Sequence, residues 1–138
     1  MKYIIIMLSI IFMTNVGTCF GIDQSMCNPG SVNTFHPNGT LKTCTLKDNF
    51  VINGVTCKQY EPITLYGSGM LKDCVISEYF NYNAITCNQY GQISFYETGI
   101  LNTCILSKTI QIEGKTCEQL KPISLFENGK LKSCSTPL

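Results

Sequence analysis

The stretch PITLYGSGMLKDCVI, residues 62–76, carries the pattern on which the chain is built. Ile63, Thr64 and Leu65 alternate apolar and polar, the period of a strand with one buried face. A turn follows around Gly69, and Leu71 opens a second alternating run that reaches Cys74. The same design returns as VNTFHPNGTLKTCTL (32–46), QISFYETGILNTCIL (92–106) and PISLFENGKLKSCST (122–136). Each unit predicts a β-hairpin. Gly39, Gly69, Gly99 and Gly129 hold one shared position, which suggests positive φ. The residue before it is Asn38, Ser68, Thr98 or Asn128. A two-residue type I′ turn would need positive φ there too, which β-branched Thr98 resists. A three-residue loop ending in left-handed Gly fits all four copies, with Pro37 at the first turn position.

That loop sets Phe35 opposite Leu41, Leu65 opposite Leu71, Phe95 opposite Leu101 and Leu125 opposite Leu131. These pairs form one apolar face, joined by Ile63, Ile93 and Ile123. Thr34, Thr64, Ser94 and Ser124 point the other way, beside Lys42, Lys72, Asn102 and Lys132. Leu46, Ile76 and Leu106 lie an odd step beyond the core leucines, so a bulge or bend is expected near the cysteine. Three linking units, FVINGVTC (50–57), FNYNAITC (80–87) and IQIEGKTC (110–117), read as a third strand each. Ala84 stands where the other copies have Gly54 and Gly114. We therefore read that position as a small residue under a close neighbour rather than a site of positive φ. The expectation is all-β: tandem 30-residue hairpin repeats in an elongated antiparallel sheet of eleven short strands, with a β-solenoid as the alternative. No unit buries enough apolar surface to fold alone.

Cysteine supplies the missing constraint. The chain has nine cysteines, and eight of them stand at positions 27, 44, 57, 74, 87, 104, 117 and 134. Their separations alternate between 17 and 13 without a slip. Pairing at 17 joins Cys27 to Cys44, Cys57 to Cys74, Cys87 to Cys104 and Cys117 to Cys134. Pairing at 13 leaves Cys27 and Cys134 unused, so the first scheme is preferred. The ninth, Cys19, is off the lattice. So many thiols point away from a reducing cytosol. Zinc knuckles want cysteines two residues apart, which this chain lacks, so no metal is expected.

The leader is read from Lys2 and the apolar run YIIIMLSIIFM (3–13), too short to span a membrane and apt for an export signal over 1–21. The mature repeat domain then covers 22–138. Val16-Gly17-Thr18-Cys19 resembles a bacterial lipobox, although Thr18 departs from the usual small residue. Cleavage after Thr18 would leave a lipidated Cys19; ordinary cleavage after Gly21 would free the chain. Both schemes stay open.

LFENGKLKSC (125–134) and FHPNGTLKTC (35–44) resemble MORN repeats, whose units run aromatic-x-x-N-G-x-L. The array over 27–134 is similar to uncharacterised Cys-rich repeat lipoproteins of bacteria. The 30-residue period and the cysteines depart from the ordinary MORN unit. The resemblance implies scaffolding or binding rather than catalysis.

Catalytic chemistry finds little to use. His36 is the sole imidazole and stands where other copies have Tyr66, Tyr96 and Phe126. No nucleophile elbow or phosphate-cradling loop occurs. The chain has no Arg, and from Ile22 onward nine Lys balance nine Asp plus Glu. A neutral chain without guanidinium is a poor nucleic-acid binder. The expected role is a non-enzymatic exported interaction or structural module, a bacterial envelope lipoprotein or a secreted protein, without cofactor. It would contact a protein or glycan surface and meet a membrane only through a lipid on Cys19. The alternative is a small secreted effector or inhibitor. The candidate contact surface is the row Tyr66, Tyr96 and Phe126, with Tyr60 and Tyr90 recurring beside it. Burial of that row as a second core layer is the competing reading.

Overall fold

The computed structural model describes residues 24–138; the expected export signal (1–21) and Cys19 lie outside the described residues. After a 3-10 turn at Gln24–Met26, the strands follow in a fixed rhythm. β1 (Thr34–Phe35) and β2 (Leu41–Thr45) make the first hairpin, and β3 (Phe50–Ile52) with β4 (Val55–Cys57) a linking hairpin. β5 (Pro62–Leu65) and β6 (Leu71–Val75) come next, then β7 (Phe80–Tyr82) and β8 (Ile85–Cys87). β9 (Gln92–Phe95), β10 (Leu101–Ile105), β11 (Ile110–Ile112) and β12 (Lys115–Cys117) repeat the pair of hairpins. β13 (Pro122–Leu125) and β14 (Leu131–Cys134) close the described chain. The four main hairpins join into one eight-stranded antiparallel sheet, ordered β1-β2-β5-β6-β9-β10-β13-β14. This is the elongated sheet of successive hairpins. The linking hairpins form three separate two-stranded ribbons.

The disulfides fasten one layer to the other. Cys57 at the end of β4 bonds to Cys74 in β6, Cys87 to Cys104 and Cys117 to Cys134; Cys27 bonds to Cys44. Their Cα–Cα distances of 5.5–5.8 Å are ordinary for such bridges. Main-chain bonds flank each one: Lys58 N–H donates to the Val75 carbonyl at 2.7 Å, and Ser77 N–H to the Thr56 carbonyl at 2.9 Å. The core between the layers is wholly apolar, with no buried polar or charged residue among the described ones. Ile63, Leu65, Leu71 and Cys74 from the sheet, with Ile76 just beyond β6, join Val55 and Cys57 of the ribbon in one buried cluster.

Two details of the sequence reading are corrected. First, each linking unit is two strands rather than one, giving fourteen in the described chain. Asn53 (φ 50°) and Gly54 (φ 77°) form a tight left-handed turn, as do Glu113 (φ 48°) and Gly114 (φ 75°). In the middle copy Asn83 is left-handed (φ 51°) and Ala84 is not. Crowding does not explain the small residue, because a Cβ at Gly54 or Gly114 would meet nothing within 4 Å. The glycines serve the backbone.

Second, the bulge expected near the cysteine is present two residues before it, and it shifts the polar register of the outer face. Leu71 pairs with Leu65, yet Asp73 pairs with Thr64, so Lys72 is the extra residue. Lys42, Asn102 and Lys132 are its equivalents. The bulge moves the polar partners by one place: Thr34 faces Thr43, not Lys42. It also returns Cys74 and Ile76 to the buried face with Leu71. On the outer face a single row then crosses all eight strands: Thr34, Thr43, Thr64, Asp73, Ser94, Thr103, Ser124, Ser133. The main turn is as expected. Gly39 N–H bonds to the His36 carbonyl and His36 N–H to the Thr40 carbonyl, with Gly39 at φ 83°.

Replacing Cys87 and Cys104 together by Ser is expected to lower stability by about 3 kcal/mol, the loop-closure value for a bridge of this span. Urea titration of the oxidised chains measures it. Non-reducing peptide maps should link Cys57 to Cys74 and never Cys44 to Cys57.

Candidate functional site

Each unit begins with a turn, and in the second, third and fourth copies that turn grips the unit before it. In the first copy this turn is Asn28-Pro29-Gly30-Ser31, closed by Ser31 N–H on the Asn28 carbonyl at 3.0 Å, with Gly30 at φ 87°. Pro then left-handed Gly is the sequence a type II turn favours. The later copies keep the backbone and change the residues. Tyr60, Tyr90 and Leu120 take the glycine's place at φ 63°, 62° and 59°. The conformation is held from outside. Tyr60 N–H donates to the Leu46 carbonyl at 2.8 Å, while Leu46 N–H donates to the Glu61 carbonyl at 3.0 Å. Tyr90 with Gly91 brackets Ile76, and Leu120 with Lys121 brackets Leu106, in the same way. A left-handed residue lets both groups face one buried residue of the preceding unit.

Left-handed backbone costs a residue with a Cβ about 1–2 kcal/mol. That cost is met three times for side chains that bury little: Tyr60, Tyr90 and Leu120 are 65%, 62% and 60% exposed. Packing does not explain them. They stand at the starts of β5, β9 and β13, every second strand of the sheet, and so form a row along one rim. Beside Tyr90 lies a cleft of about 220 Å³ lined by Asn49, Lys58, Gln59, Ser77 and Glu78. The Lys58 ammonium sits 5.5 Å from the Tyr90 ring centroid, a cation–π contact, and 3.5 Å from Glu61 Oε1. That ion pair is exposed and weak.

The row expected from sequence lies on the opposite rim, at the hairpin tips. Tyr66 and Tyr96 are half-buried, and their hydroxyls donate to the Phe95 and Leu125 carbonyls, both at 2.9 Å. His36 does the same with Nε2 on the Leu65 carbonyl at 2.9 Å, which requires the proton on Nε2. Each ring therefore joins its unit to the next. Phe126, in the last unit, has no hydroxyl and is exposed. Lys72 and Lys132 lie 5.7 and 5.8 Å from the Tyr66 and Phe126 centroids. Burial pushes the Tyr66 phenol above its ordinary value, with further upward push from Glu97, Asp73 and Glu127.

The eight lattice cysteines are all consumed in disulfides, and no cluster of three potential metal ligands occurs among the described residues. Sequence reasoning noted Tyr60 and Tyr90 but missed Leu120 and the strain. The signal was available in Pro29-Gly30, which marks the turn type in the one copy that obeys it. Comparison with protein-family models, curated proteins and solved structures found no match.

Tyr60→Gly and Tyr90→Gly are each expected to stabilise the fold by about 0.5–1 kcal/mol, the relief of left-handed strain less the entropy of Gly. A higher melting temperature for each checks this. Tyr66→Phe should cost about 1 kcal/mol through its lost hydrogen bond. The Tyr66 phenol's contribution is complete below its ordinary pKa near 10 and is lost as pH rises through the raised value. Alkaline absorbance titration should show the Tyr66 phenol ionising late, a signal absent from Tyr66→Phe.

Proposed function

We propose that this chain is an exported, non-enzymatic interaction module that works at the cell surface or outside the cell. The observation that carries the reading is the strained, exposed rim of Tyr60, Tyr90 and Leu120. Stability alone favours Gly at those positions, as in the first copy; a contact made by the side chains accounts for the choice. The four intramolecular disulfides are compatible with an oxidising compartment. The lone imidazole is tied to a main-chain carbonyl of the next unit, and that supports binding over catalysis. The MORN-like pattern of the hairpin tips points the same way, since such units scaffold and bind. Cys19 supplies the anchor in the lipidated form, and cleavage after Gly21 gives a free secreted form.

The oxidised chain added to intact producing cells is expected to be retained, and Tyr60→Gly/Tyr90→Gly to be released while still folded. Equal retention of the two overturns the reading. Palmitate labelling with and without Cys19→Ala, followed by intact mass, fixes the anchor. The mature chain should weigh eight hydrogens less than its reduced form, two for each of its four bridges.

A further inference from the structure

Resting on that reading, we infer that the rim binds an extended, neutral, β-1,4-linked polysaccharide, with Tyr60 and Tyr90 as sugar-stacking platforms. The first argument is spacing. Successive platforms are two strand positions apart, so they repeat at about 9.5 Å. A β-1,4-linked chain turns over at each sugar and presents the same ring face every second residue, at a distance of that size. An extended peptide rises about 3.3 Å per residue, so about three residues separate the platforms. An odd number would present opposite faces of the peptide to successive rings. The repeat of the array matches a glycan and mismatches a strand.

The second argument is chemistry. A pyranose ring offers an apolar C–H face and an equatorial belt of hydroxyls. An exposed aromatic face takes the first, and side chains able to donate and accept take the second. Tyr90 is the wall of a cleft whose other sides are Asn49, Lys58, Gln59, Ser77 and Glu78. The size suits one sugar ring, below that of sites for larger ligands. Charge is the third argument. Lys58 is opposed by Glu61 at 3.5 Å, and Glu78 Oε2 accepts from the Thr56 hydroxyl at 3.5 Å. Neither the cleft nor the neutral mature chain favours an ionic polymer. The fourth is rigidity. Each platform's backbone is pinned by two main-chain bonds to the unit before it, so little order is lost on binding.

Leu120 is the departure that makes the idea testable in both directions. It supplies an apolar surface without a ring, so Leu120→Tyr should create a third platform. The oxidised chain is to be tested on microcrystalline cellulose and on chitin beads, with cellohexaose and chitohexaose as soluble competitors. Retention on one of the two is expected, displaced by its own hexasaccharide, which also identifies the sugar. Tyr60→Gly/Tyr90→Gly should weaken retention about tenfold or more with an equal or higher melting temperature, and Leu120→Tyr should strengthen it about threefold. No retention on either solid, or retention unaffected by the double glycine variant, overturns the glycan assignment. If the same double variant still loses its hold on intact cells, the interaction reading survives that result. If cell retention is also unaffected, both fall.

Discussion

Everything in this molecule depends on fastening two thin layers that cannot hold themselves together. A hairpin of nine strand residues and a ribbon of six bury a handful of side chains between them, as Ile63, Leu65, Leu71 and Ile76 do against Val55. A two-stranded ribbon is marginal in water. The Cys57–Cys74 bond pins the end of the ribbon to the sheet at the middle of that small core, and Cys87–Cys104 and Cys117–Cys134 repeat the device on the other two ribbons. With the layers pinned, main-chain bonds to either side fall into place, and the core can be wholly apolar. The ends of the described array show the same logic from its other side. Asn33 replaces the isoleucines at 63, 93 and 123, Lys115 is exposed where Val55 and Ile85 are buried, and Thr136 follows Leu46, Ile76 and Leu106.

What could be read from the residues was what recurs by rule. The alternating 17- and 13-residue spacing of the cysteines made one pairing economical, and invariant Gly69 beside variable Ser68 selected the loop. What escaped were features that depend on a neighbour. The bulge at Lys72 has no signature of its own; only the phase of Ile76 betrays it. The Asn53-Gly54 turn was masked because Ala84 breaks the pattern, although Asn83 there still carries the positive φ. The difference in burial between the two aromatic rows escaped for the same reason. Tyr66 finds its acceptor in Phe95 of another unit, which no local window contains. Tyr60 is exposed because its backbone, not its ring, is the part that packs.

The two rims thus divide the labour. At the hairpin tips His36, Tyr66 and Tyr96 each reach forward to the next unit, giving the stack a direction and holding its spacing. At the opposite rim the spacing so fixed is presented outward by Tyr60, Tyr90 and Leu120. Repetition serves both purposes, since the equal steps that hold the stack also set the spacing of the exposed side chains.

The bridges also lie in simple succession: Cys27 to Cys44, Cys57 to Cys74, Cys87 to Cys104, Cys117 to Cys134, none enclosing or crossing another. In a chain threaded out from its N-terminus, the correct partner of each odd member is the next thiol to emerge. Oxidation in order of arrival therefore yields the native set without reshuffling. That rule has a reading frame, and Cys19 would shift it. A free thiol at position 19 would take Cys27, leave Cys44 to Cys57, and displace every later bond by one. Acylation of Cys19, or cleavage after Gly21, would take it out of that count and keep the frame.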